Sequence, residues 1–232
     1  MHKKYFEKIE NIFNYKSNNN ETTKIINRGF CYSEFNKKKL LFIGINPSYL
    51  PNAKLESHYY CVEAALNGYK KYYGKFQELA RGTKYESDWT YIDLFFFRET
   101  EQNKINNIID NDIDFIISQL RLSNEIINDI NPEIIVVCNS GSANFFGINK
   151  TINKNIWLGY DFIFDEDYGI EIITGINHQS IIEKNNIPKN IIGTPILFSS
   201  TLTYLDMHNK KRLHWTIERV GKNIMKLKNK YK

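Results

Sequence analysis

Three features of the chain predict an α/β fold: a three-layer α/β/α sandwich with a mainly parallel central sheet. Two runs, Leu40-Leu41-Phe42-Ile43 and Glu133-Ile134-Ile135-Val136-Val137-Cys138, are apolar without alternation, as strands buried on both faces are. Each run ends in a small or polar turn, Gly44-Ile45-Asn46-Pro47-Ser48 in one case and Asn139-Ser140-Gly141-Ser142-Ala143 in the other. A long helical pattern ending at Asn131-Pro132 precedes the second run, so helix, strand and turn form a parallel crossover unit. The 232 residues, 42% hydrophobic and 25% charged, suit one compact core. Residues 1–37 read as an N-terminal helical arm or cap, and residues 38–232 as the α/β domain with a basic C-terminal helix.

Phe6, Ile9, Ile12 and Phe13 recur at helical spacing, so residues 3–15 read as a short amphipathic helix stopped by Ser17-Asn18-Asn19-Asn20. The strand Leu40–Ile43 follows. Pro47 lacks a backbone donor and biases Asn46 towards an extended conformation, aiming its side chain out from the sheet. An irregular loop, Tyr49–Ser57, leads to His58-Tyr59-Tyr60. Val62–Tyr73 reads as one helix and Lys75–Arg81 as another, punctuated by Gly74 and Gly82. Here Tyr59, Tyr60, Tyr69, Tyr72 and Tyr73 interleave with Lys70, Lys71 and Lys75, a pattern that suits helix packing or a surface where bases stack beside phosphates.

Thr90–Phe97 is apolar enough to be a central strand, yet Asp93 lies inside it. A carboxylate there needs a partner or a task, since burying it alone costs several kcal/mol. The structural option is an ion pair with Arg98 or another arginine. Ile113–Ile130 then carries apolar residues at three and four spacing, a long helix, before the strand Glu133–Cys138. The turn at Asn139 opens a short helix, Ala143–Phe146, whose first amides are capped by Ser140 or Ser142 or free for an anion. Ile156–Phe164 and Gly169–Thr174 read as a hairpin, Asn177–Gly193 as a polar linker, and Thr194–Ser199 as the last strand. Lys210–Lys228 closes the chain as a basic helix.

Composition narrows the function. Of the net charge of +5, residues 210–232 hold nine basic side chains and one acid, so the other residues together are slightly acidic. No stretch approaches the ~20 apolar residues that span a bilayer, and the first residues lack a signal-peptide core, so a cytoplasmic protein with no membrane partner is expected. Cys31, Cys61 and Cys138 are widely spaced and form no Cys-x-x-Cys pair, and His208 and His214 are six apart. No metal and no cofactor are expected. A serine hydrolase built on Ser140 or Ser142 with His178, His208 or His214 lacks the Gly-x-Ser-x-Gly elbow.

Taken in order, the polar strand ends resemble the uracil-DNA glycosylase superfamily over about residues 38–220. Gly44-Ile45-Asn46-Pro47-Ser48 looks like its first motif in the mismatch-specific uracil/thymine branch. The block from Phe115 through Pro132 to Gly147 is similar to its helix, Pro, strand and small-residue turn. Phe198-Ser199-Ser200-Thr201-Leu202 sits where its second motif, His-Pro-Ser-x-Leu, belongs. The resemblance implies a monomeric DNA glycosylase of uracil-DNA glycosylase-like fold that flips a base out of DNA and hydrolyses its N-glycosidic bond.

By that resemblance Asn46 positions the water, with Ser200 beside the reacting centre, and Gly44, Ile45, Tyr60 and Asp93 bind the base. Pro47, Ser48, Ser140, Ser199, Thr201, Leu202, Tyr204 and Arg212 contact DNA, with Leu202 as the wedge that fills the gap in the stack. Two departures stand out. Phe198 replaces the His that would donate to the leaving base, a loss on the order of 3 kcal/mol of barrier unless Ser200, Thr201 or His208 substitutes. Asp93 stands where the family has an Asn that reads uracil; a carboxylate instead suits the exocyclic amine of cytosine or a modified cytosine. The alternative is a glycosylase-like DNA-binding protein that has lost its chemistry.

Overall fold

The computed structural model describes residues 2–51, 58–148, 156–176 and 189–231. Helices α1 (His2–Phe13) and α2 (Asn20–Asn27) precede strands β1 (Tyr32–Ser33) and β2 (Leu40–Gly44). Then come β3 (Tyr59–Tyr60), α3 (Val62–Gly68), α4 (Lys70–Ala80) and β4 (Trp89–Asp93). The middle of the chain supplies α5 (Asn103–Asn111), α6 (Ile113–Ile130), β5 (Ile134–Val137) and α7 (Ser140–Phe146). Its last part supplies β6 (Tyr160–Asp165), β7 (Ile170–Ile176), β8 (Pro195–Phe198), α8 (Met207–Lys222) and α9 (Ile224–Tyr231).

Six strands form a mixed sheet in the order β4-β2-β5-β8-β7-β6. The first four are parallel, and β7 runs antiparallel to both β8 and β6. Side chains alternate across β2: Leu40 and Phe42 pack with α4, α8 and α9, while Leu41 and Ile43 pack with α1, α5 and α6. Helices therefore cover both faces, and the run without alternation is explained by two cores instead of one. A separate parallel pair, β1 with β3, lies against β4, where the Ser33 hydroxyl donates to the Tyr91 carbonyl.

Several boundaries differ from the sequence expectation for local reasons. The asparagine run that reads as a break contains a cap: the Asn19 side chain accepts from the amides of Glu21 and Thr22 and starts α2. The break between α3 and α4 falls at Tyr69 (φ −125°, ψ 46°), not at Gly74, which continues α4. Helix α5 was not expected, and the basic terminal helix divides at Asn223 into α8 and α9. At the end of α6, Asn131 takes the left-handed conformation (φ 52°), which Asn tolerates, and Pro132 then prevents continuation. Most of the expected linker, including His178, and part of the loop Tyr49–Ser57 lie outside the described residues.

The N-terminal segment packs as a cap. Tyr5 and Ile9 are fully buried, Lys4 and Tyr5 both bind the Asp129 carboxylate of α6, and Lys8 pairs with Glu125 at 2.7 Å.

Candidate active site

Because β4, β2, β5 and β8 are parallel neighbours, the turns that follow them line up along one sheet edge. At ~4.8 Å per strand the four turns span roughly 14 Å. Chain order runs from β2 outward to β4 and back across to β5, so the direction of winding reverses beside β2, the kind of place where open α/β sheets bind ligands.

The β2 turn is clasped to the segment after β4. Leu94 and Phe95 donate their amides to the carbonyls of Gly44 and Ile45 at 3.1 and 2.8 Å, and the Glu99 amide donates to the Pro47 carbonyl at 3.0 Å. The Asn46 side-chain amide donates to two carbonyls, Glu99 at 2.6 Å and Pro47 at 3.0 Å. With both N–H bonds committed, the half-buried Asn46 can offer only its carbonyl oxygen to a ligand. The Glu99 carboxylate, 5% exposed, in turn accepts from the amides of Thr100 (2.7 Å) and Glu101 (2.9 Å) and from Arg28 (2.5 Å). Burial works against its ionisation, but these donors outweigh it and hold the carboxyl below its usual range. Arg28 and Arg98 both lie over the Tyr49 ring, at 4.3 and 5.4 Å, and fix the outer part of the loop.

Sequence reading missed Glu99, Thr100 and Arg28. Its available signal was the polar run Arg98-Glu99-Thr100 directly after Phe95-Phe96-Phe97, a fourth strand end of the same kind.

Gly44 and Asp93 face one another in register at the ends of β2 and β4. A side chain on Gly44 would place Cβ 2.0 Å from the Tyr91 hydroxyl and 2.5 Å from Asp93 Oδ1, so only glycine fits. The Tyr91 hydroxyl donates to Asp93 Oδ1 at 2.6 Å, and no ion pair to Arg98 forms; Tyr91 is its one hydrogen-bond partner among the described residues. Burial pushes the Asp93 carboxyl up to about 7, and the Tyr91 hydroxyl offsets this only in part. Tyrosines surround it. Tyr72 meets Tyr91 hydroxyl to hydroxyl at 3.1 Å, and Tyr73 donates to Tyr60 at 2.8 Å. Several of the aromatics read from the sequence as packing or stacking residues thus pack here, in the wall around Asp93.

The β5 turn joins this edge on the other side. The Asn139 side chain, not Ser140 or Ser142, caps α7 by accepting from the amides of Gly141 (2.8 Å) and Ser142 (3.2 Å), which leaves neither amide free for an anion. α7 consequently starts three residues earlier than expected. Asn139 also donates to the Thr201 hydroxyl at 3.4 Å, linking the β5 and β8 turns. Ser142 is fully buried and His214 is bound to the Leu79 carbonyl at 3.0 Å; among the described residues no serine is hydrogen-bonded to a histidine.

Other expected site residues are placed unevenly. Ile45 is 7% exposed, packs into the core on the α5–α6 side and gives its carbonyl to Phe95. Leu202, expected as the wedge, is 2% exposed in the opposite core, because the chain turns inward after Thr201. Two residues on, Tyr204 is 86% exposed. Phe198 packs edge-on against Phe146 and Phe162, on the face away from Asp93. Ser48, Ser140 and Ser200 are exposed and Pro47 and Ser199 half-buried. Ser199, Ser200 and the exposed Arg212 line a groove of about 440 Å³ between β7, β8 and α8, floored by Ile196 and Leu197 and containing Glu171. Beside Tyr204, Lys75 of α4 donates to the Thr203 hydroxyl at 3.1 Å, so basic residues of α4 and α8 border the same loop. No helix among the described residues is long and apolar enough to cross a membrane. No family model matches the chain, and comparison with curated proteins yields no match.

Proposed function

We propose that the protein is a DNA glycosylase that hydrolyses the N-glycosidic bond of a flipped-out base, on a uracil-DNA glycosylase-like three-layer sandwich. The observation that carries this reading is Asn46: its N–H groups are held by the carbonyls of Glu99 and Pro47, which leaves its oxygen as the one side-chain group it can offer a ligand. An amide is no general base, so its part is to orient a water towards the anomeric carbon as the base departs and an oxocarbenium-like sugar develops. Gly44 and Asp93 lie at the neighbouring strand ends for the base, and Ser199, Ser200 and Thr201 follow the next strand but one, roughly 10 Å away, for the DNA backbone. Tyr204 takes the wedge role that the buried Leu202 is unable to fill. Lys75 and Arg212 flank that loop with positive charge.

Formation of alkali-labile sites on labelled single- and double-stranded oligonucleotides tests the reading. Product from one base, reduced at least 100-fold by Asn46→Ala, is the expected result; absence of product from every base would exclude it. A second reading, a DNA-binding protein without catalysis, is favoured by Phe198, which stands in the sequence where the resemblance expects a histidine donor and packs against Phe146 and Phe162. Binding without product on all substrates would select it.

A further inference from the structure

Resting on the glycosylase reading, we infer that Asp93 is the acid that protonates the leaving base at its ring nitrogen, and that the base is an aminopyrimidine of the cytosine class. The position is set by packing: Asp93 stands opposite Gly44 in register, two residues from Asn46 along the β2 edge, or roughly 7 Å of extended chain. Gly44 leaves its Cβ position to the Tyr91 hydroxyl and to Asp93 Oδ1.

Among the described residues none brings a positive charge to Asp93. The titratable groups that face it are Tyr91 on its own strand, Tyr72 and Tyr73 from α4, Tyr60 from β3 and Cys31 ahead of β1. All are neutral acids at pH 7, and burial raises every one of them, so none becomes a counter-ion or an early competitor for the proton. Tyr91 engages Oδ1 and so leaves Oδ2 as the oxygen that carries the proton.

With Oδ2 at N3 and Oδ1 at the C4 substituent, that carboxylic acid pairs with the cytosine edge. Cytosine presents N3 as an acceptor beside the N4 amine as a donor; Oδ2–H donates to N3 while Oδ1 accepts from N4–H. Uracil presents the reverse pattern, N3–H beside O4, and has no basic ring nitrogen to take a proton. As the C1′–N1 bond breaks, its electron pair stays on the base and the proton passes from Oδ2 to N3, so the base leaves neutral. Water oriented by Asn46 adds to C1′ and loses a proton to solvent, from which the Asp93 carboxylate is reprotonated. Activation through Asp93 thus does without the donor that Phe198 replaces.

The test uses the full chain and oligonucleotides carrying cytosine, 5-hydroxymethylcytosine, uracil or mismatched thymine at one position. The expected result is abasic product from a cytosine-class base only. Its rate should fall about tenfold per pH unit above neutrality and drop 100-fold or more in Asp93→Asn. The pH profile of the unaltered protein carries the test by itself if the variant does not fold. Uracil or thymine excised in preference, a flat pH profile, or an unaffected Asp93→Asn would overturn the assignment while leaving a glycosylase. No product from any base would overturn both.

Discussion

Asp93 and Asp165 are both buried carboxylates at strand ends, yet the fold treats them in opposite ways. Asp165, 1% exposed, accepts from the Tyr231 hydroxyl (2.7 Å), the Lys230 ammonium (2.9 Å) and the Tyr168 amide (3.1 Å), tying α9 to the β6–β7 turn. Burial opposes its charge, but those three donors outweigh it and keep the carboxyl below its usual range. Asp93 has a single phenol and is pushed up. An acid with its donors supplied holds structure together. One left with a single donor carries a cost that a bound ligand would relieve, which is what the proposed role of Asp93 rests on.

The strongest way to break the comparison is Gly44→Ala. Its Cβ would collide with two tethered buried atoms, so a loss of about 3 kcal/mol in urea unfolding is expected, and near-neutrality would mean that Asp93 is not fixed where described. Next comes Asp165→Asn, which strands a tyrosine and a half-exposed lysine; about 2 kcal/mol should be lost at pH 7, read as a lower urea midpoint. Asp165 contributes only above its unfolded value of ~3.9 and loses that contribution as pH falls.

Asp93 has the opposite sign. Because its folded value is raised, its contribution is intact below ~3.9 and is lost as pH rises towards about 7. The protein should therefore lose on the order of 2 kcal/mol between pH 5 and 8, and Asp93→Asn should remove that slope and be the more stable form at pH 8. Parallel slopes in the two proteins would show that Asp93 is not the titrating group. The smallest effect on the fold belongs to Tyr204→Ala. Its melting curve should shift by less than ~0.5 kcal/mol, as for other exposed side chains, while oligonucleotide affinity falls about tenfold.

The sheet was legible because β2, β5 and β8 are apolar runs with turn signals at their ends, and buried parallel strands permit little else. Asp93 was legible as an anomaly for the same reason: a charge inside such a run is conspicuous. What stayed hidden depended on long-range pairing. Nothing local to Glu99 says that its carbonyl will hold Asn46, 53 residues earlier in the chain. Likewise Leu202 and Tyr204 are both apolar and two apart, and only the packing of α8 against α4 decides which is buried. The cap at Asn139 was misassigned to its neighbours because serine and asparagine satisfy the same helix amides, and the choice rests on one residue of chain position.

The seat of α1 on α6 has a consequence for how the chain folds. Lys4 reaches Asp129 across 125 residues of sequence. At ~5–20 residues per second, α1 is synthesised roughly 6 to 25 s before the end of α6. For that interval α1 has the nearby Phe30 and Phe35 rings but not the α6 face or the Asp129 carboxylate, so the earliest of the described helices to be synthesised is among the last to be fully stabilised, and nascent chains arrested before residue 130 should be the species most dependent on chaperones.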